Sequence, residues 1–193
     1  MGRIHVRTAL AALIALVAIG SGTAFAATRT TSRPIGTGVV VIETNLAYQN
    51  AAAAGTGIVL TSSGRILTNN HVIAGATTIR VVVPKTTHTY AARVAGYDTT
   101  ADVAVLQLQK ASHLKTVATG NASNLKLGAR VTAVGNADGT GRLTSSRGNV
   151  TGLHKSIMVQ GDNGTTEQLT GLIETNAALQ PGDSCFQSFK TSL

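Results

Sequence analysis

Gly55-Thr56-Gly57-Ile58-Val59-Leu60-Thr61-Ser62-Ser63-Gly64-Arg65-Ile66-Leu67-Thr68-Asn69-Asn70-His71-Val72-Ile73 is the stretch on which the fold turns. Two apolar runs of strand length, Thr56–Thr61 and Arg65–Asn69, flank the turn signal Ser63-Gly64. Runs of this length, rich in Ile, Val and Thr and bounded by Gly and Ser, read as paired strands. The second run delivers a histidine at its end. An imidazole there is an apt general base near neutral pH, although a lone strand-end histidine is more often structural or solvated.

The same pattern continues outward. Gly38–Glu43, Thr77–Val83, Thr89–Tyr97 and Asp102–Leu108 are further strand-length segments, separated by signals such as Ala74-Gly75 and Pro84. Six short strands at this spacing predict a closed antiparallel barrel of Greek-key type over residues 37–109. After a polar connection, 110–128, three more segments follow: Ala129–Gly135, Asn149–Val159 and Glu167–Thr175. Gly-rich turns at Asn136-Ala137-Asp138-Gly139 and Gly161-Asp162-Asn163-Gly164 separate them. Residues 129–184 therefore predict a second, partial barrel, and the fold class is all-β. Composition agrees, with 43% hydrophobic residues, 3% aromatic and 21 Gly in 193 residues, which suits short strands and turns more than a helical bundle.

The chain opens with Arg3 and Arg7, an apolar run from Ala9 to Ile19, and Ala24-Phe25-Ala26. A charged start, a short apolar core and a small-x-small site make residues 1–26 a secretory signal peptide. The run falls short of the ~20 residues that a spanning helix needs, so no stable membrane span is expected after its removal. Residues 27–36 read as a linker. The expected location is outside the cytoplasm: secreted, periplasmic or bound to the cell envelope.

Without Arg3 and Arg7 the formal charge falls from +8 to +6. The basic residues are dispersed, and no aromatic residues interleave with them. Nucleic-acid binding is not indicated, though loose attraction to an anionic polymer is compatible with the charge. Cys185 is the only cysteine, so an internal disulfide is excluded. An exposed thiol in an oxidising compartment leaves a linked homo-oligomer open. His88, His113 and His154 show no ligand spacing, and neither metal nor cofactor is expected.

Two further residues carry chemistry. Asp102 opens the run Val103-Ala104-Val105-Leu106, apolar on both faces and so expected to be buried. A carboxylate at the mouth of such a strand is costly without a partner, and a His71 ring N–H would supply one. Asp98 is the nearby competitor. Ser184 stands in Pro181-Gly182-Asp183-Ser184. Gly two residues before a serine permits a sharp turn, and the N–H groups of Gly182 and Ser184 can then face one oxyanion. Alone, G-D-S makes ordinary turns. Together, the order His71, Asp102, Ser184 is that of chymotrypsin-type enzymes and not of subtilisins or α/β-hydrolases.

Four blocks resemble those of HtrA-like trypsin-fold serine proteases. They are the stretch quoted first, Asp102-Val103-Ala104-Val105-Leu106, Val134-Gly135-Asn136, and Glu174-Thr175-Asn176-Ala177-Ala178-Leu179-Gln180-Pro181-Gly182-Asp183-Ser184. The resemblance implies a chymotrypsin-like double barrel without a metal cofactor, hydrolysing peptide bonds of protein or peptide substrates through an acyl-enzyme. His71 would be base and then acid, Asp102 its orienter, Ser184 the nucleophile, and Gly182 and Ser184 the oxyanion-hole donors. Ala178, six residues before the serine, would floor the primary specificity pocket.

The family continues G-D-S with G-G-P-L and further strands. Here Cys185-Phe186-Gln187-Ser188-Phe189-Lys190-Thr191-Ser192-Leu193 follows, with two of the three Phe residues. Residues 185–193 therefore read as an atypical tail, from a frameshift or a natural short form. They cannot supply three more strands of ordinary length. The second barrel is expected to be incomplete at the C-terminus, which puts the activity of this chain in question. A non-catalytic exported peptide-binding protein is the alternative.

Overall fold

The computed structural model describes residues 34–46, 51–160, 166–178 and 187–190. The signal-peptide and linker assignments up to Arg33, together with Gly182, Ser184 and Cys185, lie outside the described residues.

Six strands close the first barrel: β1 (Val39–Leu46), β2 (Ala51–Val59), β3 (Arg65–Thr68), β4 (Thr78–Val83), β5 (His88–Asp98) and β6 (Val103–Leu108). Around the barrel they run β1-β2-β3-β6-β5-β4, and β4 returns to β1. Every pairing is antiparallel, and the step from β3 to β6 is the Greek-key crossover. Closure leaves no edge within this barrel. Alternation along the strands sends Val40, Ile42, Val59, Ile66, Ile79, Val81, Leu106 and Leu108 inward. Each such side chain contributes about 1.5–3 kcal/mol on burial. At Gly57 an added Cβ would lie 2.8 Å from both Ile42 and Ile66, so the core closes directly over its backbone.

Two boundaries and one burial pattern differ from the sequence reading. β1 runs on to Leu46, and β2 starts at Ala51, because Thr44, Asn45 and Leu46 pair with Ala53, Ala52 and Ala51. An alanine run has little intrinsic strand preference, and here pairing overrides it. In β6, Val103 is 37% exposed while Ala104, Leu106 and Leu108 are buried. The strand alternates and is not covered on both faces.

The connection 110–128 contains no strand, only a 3-10 turn at Ala122–Asn124. It is tied to the barrel where Leu114 N donates to Ser62 O and Val117 N to Val59 O. Gly38, at φ +81°, allows the close approach: a Cβ there would meet Val117 N at 2.6 Å.

The second part is a four-stranded sheet, β10-β7-β8-β9. It comprises β7 (Arg130–Gly135), β8 (Thr144–Gln160), β9 (Thr166–Thr175) and β10 (Gln187–Lys190). Val131, Ala133, Val134 and Val150 are buried, and β7 is covered on both faces. β8 starts five residues earlier than the sequence suggests, since Thr144 to Gly148 pair with β7 through a polar run that carries no apolar alternation. Part of 185–193, read from the sequence as an atypical tail, forms the strand β10. Gln187, Ser188, Phe189 and Lys190 pair antiparallel with Val134, Ala133, Thr132 and Val131, extending the sheet by one strand. The two sheets and the near absence of helix match the expected all-β class, with the first barrel closed and the second represented by four strands among the described residues.

Candidate active site

β3 ends at Thr68, and the chain turns through Asn69 into a single helical turn, α1 (Asn70–Ile73). Val72 and Ile73 anchor that turn in the barrel core, which points His71 outward at 49% side-chain exposure. Gly55 of β2 permits this seating, since a Cβ there would come within 2.7–2.8 Å of the Val72 methyls. β6 begins one residue after Asp102, whose side chain is 20% exposed.

These elements bring His71 and Asp102 together. His71 Nδ1 lies 2.7 Å from Asp102 Oδ2, and the His71 backbone N–H donates to Asp102 Oδ1 at 2.9 Å. An ionised carboxylate can only accept, so Nδ1 carries the hydrogen in the neutral ring and Nε2 keeps its lone pair. The pair is therefore built to take a proton at Nε2. Asp102 has φ +49°, in the left-handed region that aspartate tolerates better than most residues. Asp98, the competitor, makes no such contact: its Oδ1 accepts the Ala101 N–H at 3.1 Å and shapes the loop before Asp102.

Two groups of contacts that sequence reasoning missed lie beside and behind the pair. Asn69 Nδ2 donates to Asp102 O at 2.9 Å and to Asp102 Oδ2 at 3.2 Å. Farther in, Thr56 Oγ1 accepts the Asn136 N–H at 2.9 Å, and Thr68 Oγ1 donates to Thr56 O at 2.8 Å. Thr56, Thr68 and Asn136 are all buried. This chain of bonds joins the end of β7 to β2 and β3, immediately before the His71 turn. Asn136 Oδ1 also accepts the Gly141 N–H at 2.8 Å, whereas Nδ2 finds no partner among the described residues. A residue 80 positions from its partner leaves no local signal in the sequence.

The segment leading toward Ser184 is held by β8. Asn176 Oδ1 accepts the Asn149 N–H at 2.7 Å, and Asn176 N donates back to Asn149 O at 3.1 Å. Ala177 is buried, and Ala178 beyond it is exposed. A Cβ on Gly148 would lie 2.7 Å from Ala177 Cα and 2.8 Å from Asn176 Oδ1. Gly148→Ala is expected to push this segment away and to cost about 1–3 kcal/mol of stability, read from the midpoint of denaturant unfolding. An unchanged midpoint would show that the segment yields freely.

Among the described residues no three His, Cys, Asp or Glu side chains approach closely enough to hold a metal ion. No helix among them is long and apolar enough to cross a membrane.

Comparison with known proteins follows the same line. A model of the trypsin-like peptidase domain matches residues 55–184. Serine protease PepD of Mycobacterium tuberculosis is 37% identical over 154 residues, covering 76% of this chain and 32% of that protein. Chloroplastic Protease Do-like 1 of Arabidopsis thaliana is 35% identical over 156 residues, covering 75% and 34% respectively. The chain thus spans about a third of the length of these curated relatives. Among solved structures, the HtrA-type protease AlgW with a tripeptide superposes at a TM-score of 0.67 and 26% identity. That match covers 80% of this chain and 48% of AlgW. The active form of the Rv3671c protease from M. tuberculosis superposes at 0.68 and 25% identity, covering 80% and 65%. Barrel, His–Asp pair and these matches agree, and the chain belongs to the trypsin-like peptidase domain family.

Proposed function

We propose that this chain is an exported serine endopeptidase of HtrA-like type, with Ser184 as nucleophile, His71 as general base and Asp102 as the residue that orients it. The observation that carries the reading is the 2.7 Å contact between His71 Nδ1 and Asp102 Oδ2, with the imidazole half exposed. In that orientation Nε2 is free to remove the Ser184 hydroxyl proton as Oγ attacks a peptide carbonyl. Asp102 offsets the charge of the imidazolium that forms. The imidazolium then returns the proton to the leaving amine, and water repeats the sequence on the ester. Gly182 and Ser184 N–H groups would bind the oxyanion.

Chain connectivity supports the role of Ser184. Gln187 pairs with Val134, two residues before the Asn136 that bonds to Thr56. The three residues from Ser184 to Gln187 span at most about 10 Å. The covalent chain alone thus keeps Ser184 within that reach of Gln187.

The charged start and apolar run of residues 1–26 support export. Two relatives named as periplasmic, from Haemophilus influenzae and Pseudomonas fulva, are in keeping with it. Proteins and peptides would be the substrates. Ala178, as pocket floor, offers no carboxylate to a basic side chain. Peptides with Ala or Val before the scissile bond are expected to be cleaved at least 10-fold faster in kcat/KM than their Arg or Lys counterparts. The scale follows from the roughly 1–3 kcal/mol at stake in one pocket contact. A peptide panel checks this, and a preference for Arg or Lys would contradict it.

A further inference from the structure

We propose that Asn69 is a positioning residue for the His71–Asp102 pair, which it serves in place of capping the helix it precedes. The inference rests on the catalytic reading of that pair. Asn69 occupies the N-cap position of α1, with φ −85° and ψ 150°. Asparagine is favoured there because its side-chain oxygen accepts the N–H of the second or third helical residue. Asn69 makes no such bond. Its carboxamide presents its donor to Asp102, reaching the main-chain O at 2.9 Å and carboxylate Oδ2 at 3.2 Å.

The vacated cap is filled from outside the helix. His71 is the second residue of α1, and its N–H is taken by Asp102 Oδ1 at 2.9 Å. Asp102 thus caps the turn that carries its own imidazole partner, while Asn69 holds Asp102. A local preference set aside in this way, with the compensation at the next residue of the site, marks a functional constraint.

Among the described residues three donors converge on the Asp102 carboxylate. His71 supplies two of them, N–H to Oδ1 and Nδ1 to Oδ2, and both move with the helical turn. Asn69 is the third, and the only one also tied to the Asp102 main chain. It therefore fixes the side chain relative to a backbone held at φ +49°, a conformation that a non-glycine residue keeps only when its surroundings over-determine it. Packing covers most of the Asp102 side chain, which is 20% exposed, but leaves one side open. A groove of about 330 Å³ opens beside Asp102, between the Asp98–Ala101 loop and Gln168, Leu169 and Leu172 of β9. With the amide removed, the carboxylate has room to rotate into that groove and meet water. Oδ2 would then leave Nδ1, and the ring would be free to adopt the Nε2–H tautomer, which cannot accept a proton from serine.

The test compares Asn69→Asp and Asn69→Ala with the unaltered chain. Aspartate keeps the shape and the capping preference of asparagine but loses the donor and sets a like charge beside Asp102, so Asn69→Ser, a capping residue too short to reach Asp102, is the uncharged control. If Asn69 merely capped α1, Asn69→Asp would preserve function. Positioning predicts that both variants lower kcat by roughly 10- to 100-fold with little change in KM, the scale of a displaced catalytic group. A second readout needs no turnover. Long-range ¹H–¹⁵N spectra of the histidine ring, assigned by the signals lost in His71→Ala, report which nitrogen carries the proton. The unaltered chain is expected to show the Nδ1–H tautomer, and both variants a shift toward Nε2–H. Should Asn69→Ala fail to fold, Asn69→Ser replaces it. Tautomer and kcat unchanged in Asn69→Asp would overturn the proposal while leaving the protease reading intact. A tautomer shift in a chain that hydrolyses nothing would support the positioning role and count against the protease reading instead.

Discussion

Ser184→Ala is expected to lower kcat for peptide hydrolysis by about 10⁶-fold, and His71→Ala by a similar factor. The two act as one unit: a hydroxyl without a base is a weak nucleophile, and a base without a hydroxyl has nothing to activate. The double variant should therefore be no worse than either single one. The change at His71 removes no core contact. His71 is half exposed, and the barrel is held by Val72 and Ile73 on the opposite side of the same turn. Thermal unfolding should thus be little altered in His71→Ala while turnover is lost. Steady-state kinetics on a peptide that the unaltered chain cleaves will check this, and additive losses in the double variant would argue against a shared unit.

Asp102→Asn is expected to cost about 10⁴-fold in kcat with the fold retained. The replacement is nearly isosteric, and asparagine tolerates the left-handed φ of +49° as well as aspartate does. The damage is to direction. An amide nitrogen facing His71 Nδ1 would donate where the carboxylate accepted, placing the ring hydrogen on Nε2 and removing the lone pair that serine needs. Turning the amide the other way would set its NH₂ against the donor N–H of His71, which now faces Oδ1. The first orientation costs the required tautomer and the second costs the main-chain contact. Thermal melting near that of the unaltered chain, combined with the loss of kcat, will separate this from unfolding. A variant with full activity would show that Asp102 is structural.

What the sequence disclosed depended on how locally each feature is encoded. The barrel was readable because runs such as Arg65–Thr68 and Thr78–Val83 set Val, Ile and Leu in partial alternation with polar residues, between turn signals such as Ser63-Gly64 and Pro84. The segments that escaped lack that alternation: Ala51–Ala54 at the start of β2, and Thr144–Gly148 at the start of β8. Both are strands because a neighbour pairs with them. β10 was hidden by the unfamiliar composition of residues 185–193, which masked a four-residue run able to pair with β7.

The site divides in the same way. His71 and Asp102 stood out because each lies in a short block of distinctive order, and the fold brings the two into contact. Asn69 gave no warning, since an asparagine before a helical turn reads as a cap. The Thr56–Asn136 bond joins residues too far apart for any pattern to connect them. The left-handed backbone of Asp102 is equally invisible, because aspartate occurs readily in other conformations.

Reaction of the folded, unaltered chain with a fluorophosphonate, followed by peptide mapping, tests the account most directly. It predicts one adduct, on Ser184, formed rapidly and lost in His71→Ala. A folded chain that remains unlabelled, or carries the adduct elsewhere, or labels Ser184 equally well without His71, would contradict it.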